Sequence, residues 1–466
     1  MMDLFGKSTY GKSLNVTAQK RVNCYIEIQP GDDRSTISIY GTGGTTLFGS
    51  GLGDTPIRGI HSQGNFIYIV HRGTVYSVNN AGVKTIIGII NTSAGRVYIA
   101  NNGVQMMIVD GTSGYIYNFV TTVFTQITST GFPANPKTVA WSDGYFIVNP
   151  ANTQRFYISK LYDGLTWDIL DFSAAETNPD DLVIMVADNS ILYAFGALTT
   201  EFFSNSGAAD FPYVRISGGS TEWGCAAANS VVKFDNSIAF VAKNRMGQVI
   251  VARMYGYNPM KISTPEIEYV INNFSTTSDC SAISYMLGGH PMLQLNFPSG
   301  DTTLLYDGLS QAWSTLKSYG INRHIAEIST NYLDKTIFTD YSVGNLYFLD
   351  INNYLDNGNP IAMEVTSRHI SDSDKRFSIS RLQLDIETGV GLANGQGSNP
   401  QIQLFVSKDG GHTYSGARDC NMGAIGKYIT KAVWRSLGRS RDFVFKFRIT
   451  DNVKRVILDS SIQIRS

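Results

Sequence analysis

Residues 6–13 read GKSTYGKS: Gly6, four residues, then Gly11-Lys12-Ser13, which satisfies the phosphate-loop pattern G-x-x-x-x-G-K-[ST]. That pattern binds nucleotide phosphates when a buried strand delivers the glycine turn and a helix N-terminus behind it presents amides and partial positive charge. Only MMDLF precedes Gly6, too short for a central strand, and Val16, Thr17 and Val22 downstream favour extension over a first helical turn. No alternation of strands and helices follows. The match is read as a coincidence within a Gly/Lys/Ser-rich arm, and an ATPase is excluded.

The second stretch is SKDGGHTYS at residues 407–415. Ser407, Asp409, Gly411, Thr413 and Tyr414 fall on the Asp-box pattern, a hairpin turn abundant in sialidases and other glycan-binding propellers. Its physics is local: the carboxylate accepts turn amides, glycine supplies positive φ and the aromatic packs beneath. The motif occurs once, so it is read as a structural turn. A glycosidase or glycan-binding propeller stays open as the alternative, but a glycosidase needs two facing carboxylates, and the sequence places no such pair.

Other reactive residues are scattered. Cys24, Cys225, Cys280 and Cys420 form no C-x-x-C pair, and the six histidines form no H-x-x-x-H, so neither disulfides, a metal nor a cofactor is expected. No apolar run reaches the length of a membrane span, and the first residues lack a signal peptide's apolar core. Charge is uneven. Residues 431–466 hold nine Lys/Arg against three Asp, a net +6, so residues 1–430 carry −7 of the total −1. A basic end on an acidic body fits a docking surface or nucleic-acid contact, or else a solvated strand face.

The elements that must position these residues are strands. The chain has 45 Gly, 25 Tyr and 24 Phe but 13 Pro and 16% charged residues, a mixture of φ > 0 turns and pleat-filling side chains that gives an all-β fold. One hairpin type recurs every 40–55 residues or so, the period of propeller blades. Its seven instances lie at 65–80, 104–119, 144–161, 189–206, 236–256, 291–308 and 335–351. A further strand precedes each (IRGIHS, RVYIANN, KTVAWSD, VIMVADN, SVVKFDN, AISYML, HIAEIST), and several are followed by another, such as TWDILDF or AWSTL. Four strands per unit predict a β-propeller over 51–359 with seven blades, or six if one hairpin belongs to an insertion. Within the arm 1–50, TISIYG (36–41) and TTLFG (45–49) are expected to close the last blade. From Pro360 the strands lengthen. In RDFVFKFRIT, Phe443, Phe445, Phe447 and Ile449 alternate with Val444, Lys446 and Arg448, which predicts a second, sandwich-like domain over 360–466.

Three segments then resemble one known family. AQKRVNCYIEIQPG (18–31) is similar to the A-Q-R-x-x-N-x-Y-x-E opening of the packaged-DNA stabilisation, or tail nozzle, proteins of short-tailed bacteriophages, with Lys20 lengthening the spacing to Arg21 by one residue. GTGGTTLFGSGLGDTPIRGIHSQGNFIYIVHRGTVYSV (41–78) resembles the next segment. VSKDGGHTYS and GKYITKAVWRSLGRSRDFVFKFRIT (426–450) resemble its end. The resemblance implies a non-enzymatic virion tail protein assembled in the host cytoplasm. It further implies a homohexameric ring that prolongs the channel below a portal-bound adaptor, helps retain packaged genome, carries a needle or tip, and has fibres or tailspikes nearby. Double-stranded DNA would pass without specific binding, as an acidic body predicts. The basic end, with Trp434 as aromatic anchor (or else buried within its own sandwich) beside Arg435, Arg439 and Arg441, is then the expected adaptor-docking face.

Overall fold

Alternating side chains and positive-φ turns fold the middle of the chain into consecutive antiparallel sheets. The computed structural model describes residues 4–6, 11–28, 37–49, 51–372 and 375–465. Part of GKSTYGKS (7–10), the end of the family-like opening (29–31) and the first residue of TISIYG lie outside them. Residues 57–89, 98–126, 136–174, 182–221, 223–261, 281–316 and 326–350 build seven sheets, numbered here as blades 1 to 7. Successive blades neighbour one another around a closed ring, through their first strands except between blades 4 and 5, where the second and third strands of blade 4 make the contact. Seven blades, not six, make the propeller. In blade 5 the inner position is split into Trp223–Cys225 and Val232–Phe234, both paired with Ser237–Asn244.

The turns explain why these hairpins form where they do. Between first and second strands, blades 3 to 6 use two residues that both take positive φ: Asp143-Gly144, Asn189-Ser190, Asp235-Asn236 and Gly288-Gly289. That geometry matches the twist of the flanking strands and selects Asn, Asp and Gly. Facing blades then pack through aromatics. Phe195 of blade 4 and Phe240 of blade 5 are fully buried with ring centroids 4.9 Å apart. Each such side chain contributes roughly 1.5–3 kcal/mol from burial alone. A single α-helix occurs among the described residues, Pro265–Asn272, between blades 5 and 6. Thr264 caps it, Pro265 starts it, and Glu266 and Glu268 sit in its first turn.

The arm's strands are distributed between the two domains. Strands β1 (Lys20–Val22), β2 (Cys24–Ile28), β3 (Ile37–Gly41) and β4 (Gly44–Gly49) follow in order. β4 pairs antiparallel with Leu346–Asp350 as the fourth strand of blade 7, so the chain's beginning closes the ring. Gly44 is required there, because a Cβ would fall 2.1 Å from the Leu355 carbonyl oxygen. β3, expected in the same blade, instead pairs with β2 and with Val456–Arg465. It belongs to the sandwich, where Ile39 packs in the core.

The sandwich has two layers. One contains β2, β3, Val456–Arg465, Phe377–Ile386 and Ala432–Ser440. The other contains Met363–Thr366, Asp442–Ile449, Gln401–Ser407 and Arg418–Asn421, and it continues through β1 into blade 6 as one ten-stranded sheet. Phe443, Phe445, Phe447 and Ile449 all point into the core between them. Val444 is buried too, so the expected clean alternation breaks at that position.

A basic sheet face and the joint behind it

Three side chains hold the sandwich to the propeller at the crossing strand. β1 lies parallel to Ala312–Leu316 of blade 6 and antiparallel to Met363–Thr366 of the sandwich. Just after it, Asn23 takes φ +54°, a conformation Asn tolerates better than most residues. Its Nδ2 donates to the carbonyls of Lys317 and Ala362, both at 3.0 Å, and its Oδ1 accepts from the Lys317 amide at 2.8 Å. One amide side chain thus ties the end of blade 6 to the start of the sandwich.

Two buried arginines flank it. Arg21 donates to the Gly6 carbonyl at 2.5 Å and the Trp313 carbonyl at 3.0 Å. Arg455 donates to the carbonyls of Ile361 at 2.6 Å and Thr42 at 2.9 Å. Burial lowers both guanidinium pKa values to about 10. Tyr25, whose phenol burial pushes up to about 12, packs edge-on against His290 of blade 6 and stacks on Tyr40. Arg21, Asn23 and Tyr25 are the residues of the family-like opening, and all three serve this joint.

The basic C-terminal residues divide by environment. Arg455 is consumed by the joint, while Arg448 and Lys454 pair with Glu364 and Glu387. Lys446 lies over the rings of Phe405 and Tyr414, 4.7 Å from each. The remainder stays exposed, including Arg435, Arg439, Arg441 and Arg465. Arg435 stands directly across from Arg381 in the sheet, and Ser378 lies between Arg439 and Arg465. Among the described residues, no ion pair engages Arg381, Arg418, Arg435, Arg439 or Arg465. Like charges on one rung of a sheet destabilise it, so the face is electrostatically unfinished. Sixteen Lys/Arg against ten Asp/Glu give residues 360–466 a net +6, leaving −7 on residues 1–359.

Trp434 is not on that face. It is buried in the sandwich core, 5.9 Å from the Phe447 ring, and its indole N–H donates to the Arg418 carbonyl at 2.8 Å. Its alternation with Arg435 along the strand sends the two side chains to opposite faces. The anchor expected at this position is therefore a core residue.

The motifs with apparent chemistry resolve into structure. After Ser13 the chain makes one turn, with the Val16 and Thr17 amides on the Ser13 carbonyl, and then enters β1 with no helix. In the Asp-box, Asp409 accepts from the Thr413 hydroxyl at 2.6 Å, the Thr413 amide at 2.9 Å and the Ser407 hydroxyl at 2.7 Å. These bonds hold its carboxyl well below the usual carboxylate range, Thr413 contributing most. Gly410 and Gly411 take positive φ, and the turn joins two strands of the sandwich, far in sequence from any blade. His290, Asp307 and Ser310 do meet, but both His290 and Ser310 bond the same oxygen of buried Asp307. That places no histidine against the serine hydroxyl, as nucleophile activation requires. Among the described residues, no group of three metal-ligating side chains occurs.

Both halves of the chain match known sequence profiles. Residues 16–354 match the β-propeller of bacteriophage P22 Gp10, and residues 362–465 match its β-sandwich. The chain belongs to the phage P22 Gp10 family. Membership makes it a phage structural protein of the packaged-DNA stabilisation, or tail nozzle, family and a virion component. No curated protein matches. Among solved structures, the computationally designed Ika8 protein is similar at 10% identity and TM-score 0.42, covering 72% of this chain and all of its own. The N-terminal domain of Nup159 is similar at 9% identity and TM-score 0.41, covering 71% and 98%. Sequence reasoning missed the joint residue Arg455, a single arginine inside a basic run whose burial has no local signal.

Proposed function

We propose that this Gp10-family chain forms a ring, a homohexamer, that prolongs the DNA-ejection channel of a phage tail below the adaptor and helps retain packaged genome without catalysing a reaction. The observation that carries the reading is the match of both domains, in order, to one phage structural protein. Ring formation is supported by the propeller rim. The outer strand of blade 1, the turn before the outer strand of blade 2, and the outer strand of blade 3 expose Ile86, Ile89, Val120, Ile169 and Leu170, each more than 60% accessible. Apolar side chains along unpaired sheet edges suit lateral packing against another copy. An acidic propeller body suits a conduit that must not grip phosphates. Needle or tip and fibre or tailspike proteins are further expected neighbours.

The sandwich's arginine face is the adaptor-docking surface in this reading, where acidic side chains would complete the Arg381–Arg435 rung. Replacing Arg435 and Arg439 together with Glu reverses an exposed patch outside the core. The double variant is expected to fold with an unchanged melt yet fail to join adaptor-bearing particles in an in vitro tail-assembly assay. Normal incorporation would reject the docking assignment. Negative-stain images of wild-type protein with adaptor test the ring itself: coaxial rings are expected, and a dispersed monomer overturns it.

A further inference from the structure

A second basic site lies in the propeller, lined by residues from several blades. It opens where inner strands begin and second-to-third-strand turns gather. Arg58 is in the first strand of blade 1, Arg72 in that blade's turn, Arg96 just ahead of blade 2, and Arg323, Glu327 and Tyr341 belong to the approach, first strand and a turn of blade 7. The cavity they line has a volume of about 660 Å³, within the range of small-molecule sites. Four guanidinium groups face one carboxylate.

Their hydrogen bonds separate a scaffold from free donors. Arg58 is fully committed. It donates to the carbonyls of Gly95, Arg72, Thr92 and Ala94 and to the Thr92 hydroxyl, at 2.5–2.8 Å, with Asp110 behind holding the same Thr92 hydroxyl at 3.0 Å. This fixes the loop 92–95 that carries Arg96 into the wall. Arg72 is loosely held by Thr55 at 3.2 Å and exposed Asp54 at 3.5 Å. Arg323 pairs with Glu327 and lies 3.9 Å over the Tyr341 ring. The Nε groups of Arg96 and Arg323 are buried with no acceptor, and no hydrogen bond joins the Arg96 guanidinium to protein among the described residues. Burial depresses the Arg96 pKa, with Tyr98 and Glu327 opposing the shift. Buried N–H groups of native proteins almost always find partners, and planar guanidinium forks match oxyanions in charge and geometry.

We infer that this cavity binds a small multiply charged oxyanion of the phosphate class, held by Arg96 and Arg323 with Arg72 closing over it. The inference is independent of the ring and docking reading, since it concerns the other domain and a soluble ligand. Glu327, the lone carboxylate in the wall, pairs with Arg323 and leaves Arg72 and Arg96 in excess.

Calorimetric titration and thermal shift of the full chain with pyrophosphate, inorganic phosphate and N-acetylneuraminate test it. Pyrophosphate is expected to bind most tightly and raise the melting temperature. Arg96→Gln, which breaks no protein hydrogen bond, should weaken it at least tenfold while leaving the ligand-free melt in place, and Arg435→Gln on the sandwich should change nothing. Absence of saturation at millimolar pyrophosphate, undiminished binding by Arg96→Gln, or equal affinity for the monocarboxylate would each overturn the assignment.

Discussion

Asn23 shows how much one side chain can carry when it bridges two domains and holds a left-handed backbone at once. Its three side-chain hydrogen bonds reach Lys317 on one side and Ala362 on the other. In Asn23→Ala, buried carbonyls and an amide lose partners, about 1–3 kcal/mol, and alanine meets a left-handed penalty of about 1–2 kcal/mol. A loss of about 2–5 kcal/mol is expected in urea unfolding, with Asn23→Gly recovering roughly the conformational part. Wild-type stability in both variants would refute the role. Residue-scale chemistry was legible where it is local. The Asp-box was readable because its donors and acceptor lie within seven residues, and the phosphate-loop match was dismissible because strand and helix were missing beside it. Trp434 was not readable, because strand alternation assigns two faces without saying which is buried.

At the scale of elements, the blade hairpins were legible because turn chemistry and two-residue periodicity are written within sixteen or so residues. The helix Pro265–Asn272 also carried a local signal, Thr-Pro-Glu, that the dominant β pattern concealed. What local signals could not reveal was the partner of a lone strand. β3 and β4 are adjacent and both alternate, yet β3 enters the sandwich and β4 the last blade, because tertiary hydrogen bonding decides between them. Removing residues 1–50 therefore strips blade 7 of its fourth strand and uncovers Leu346–Asp350. It also takes Cys24 and Ile39 from the sandwich core. The melting temperature is expected to fall by roughly 10 °C or more, since several kcal/mol are at stake and each shifts Tm by a few degrees. An unchanged scanning-calorimetry melt would mean the ring closes without its first strands.

For the whole molecule, the consequence is mechanical. Two domains joined by a flexible linker would melt separately and move separately. Here the linker region is replaced by a sheet that runs unbroken from blade 6 through β1 into the sandwich, with Arg21 and Asn23 bonded to blade 6 and Arg455 to the connecting segments at Thr42 and Ile361. Opening the joint would leave two buried guanidinium groups without their carbonyls, a cost the folded state avoids only by keeping both domains in place. Propeller and sandwich are thus held at a fixed orientation, with −7 on residues 1–359 and +6 on residues 360–466. Calorimetric unfolding of the full chain is accordingly expected to show one cooperative transition. Destabilising the joint with Asn23→Ala should lower that transition or split it in two. Two resolved transitions in the wild type, with the sandwich melting independently of the propeller, would show that the shared sheet does not couple the domains, and the fixed orientation would have to come from assembly partners instead.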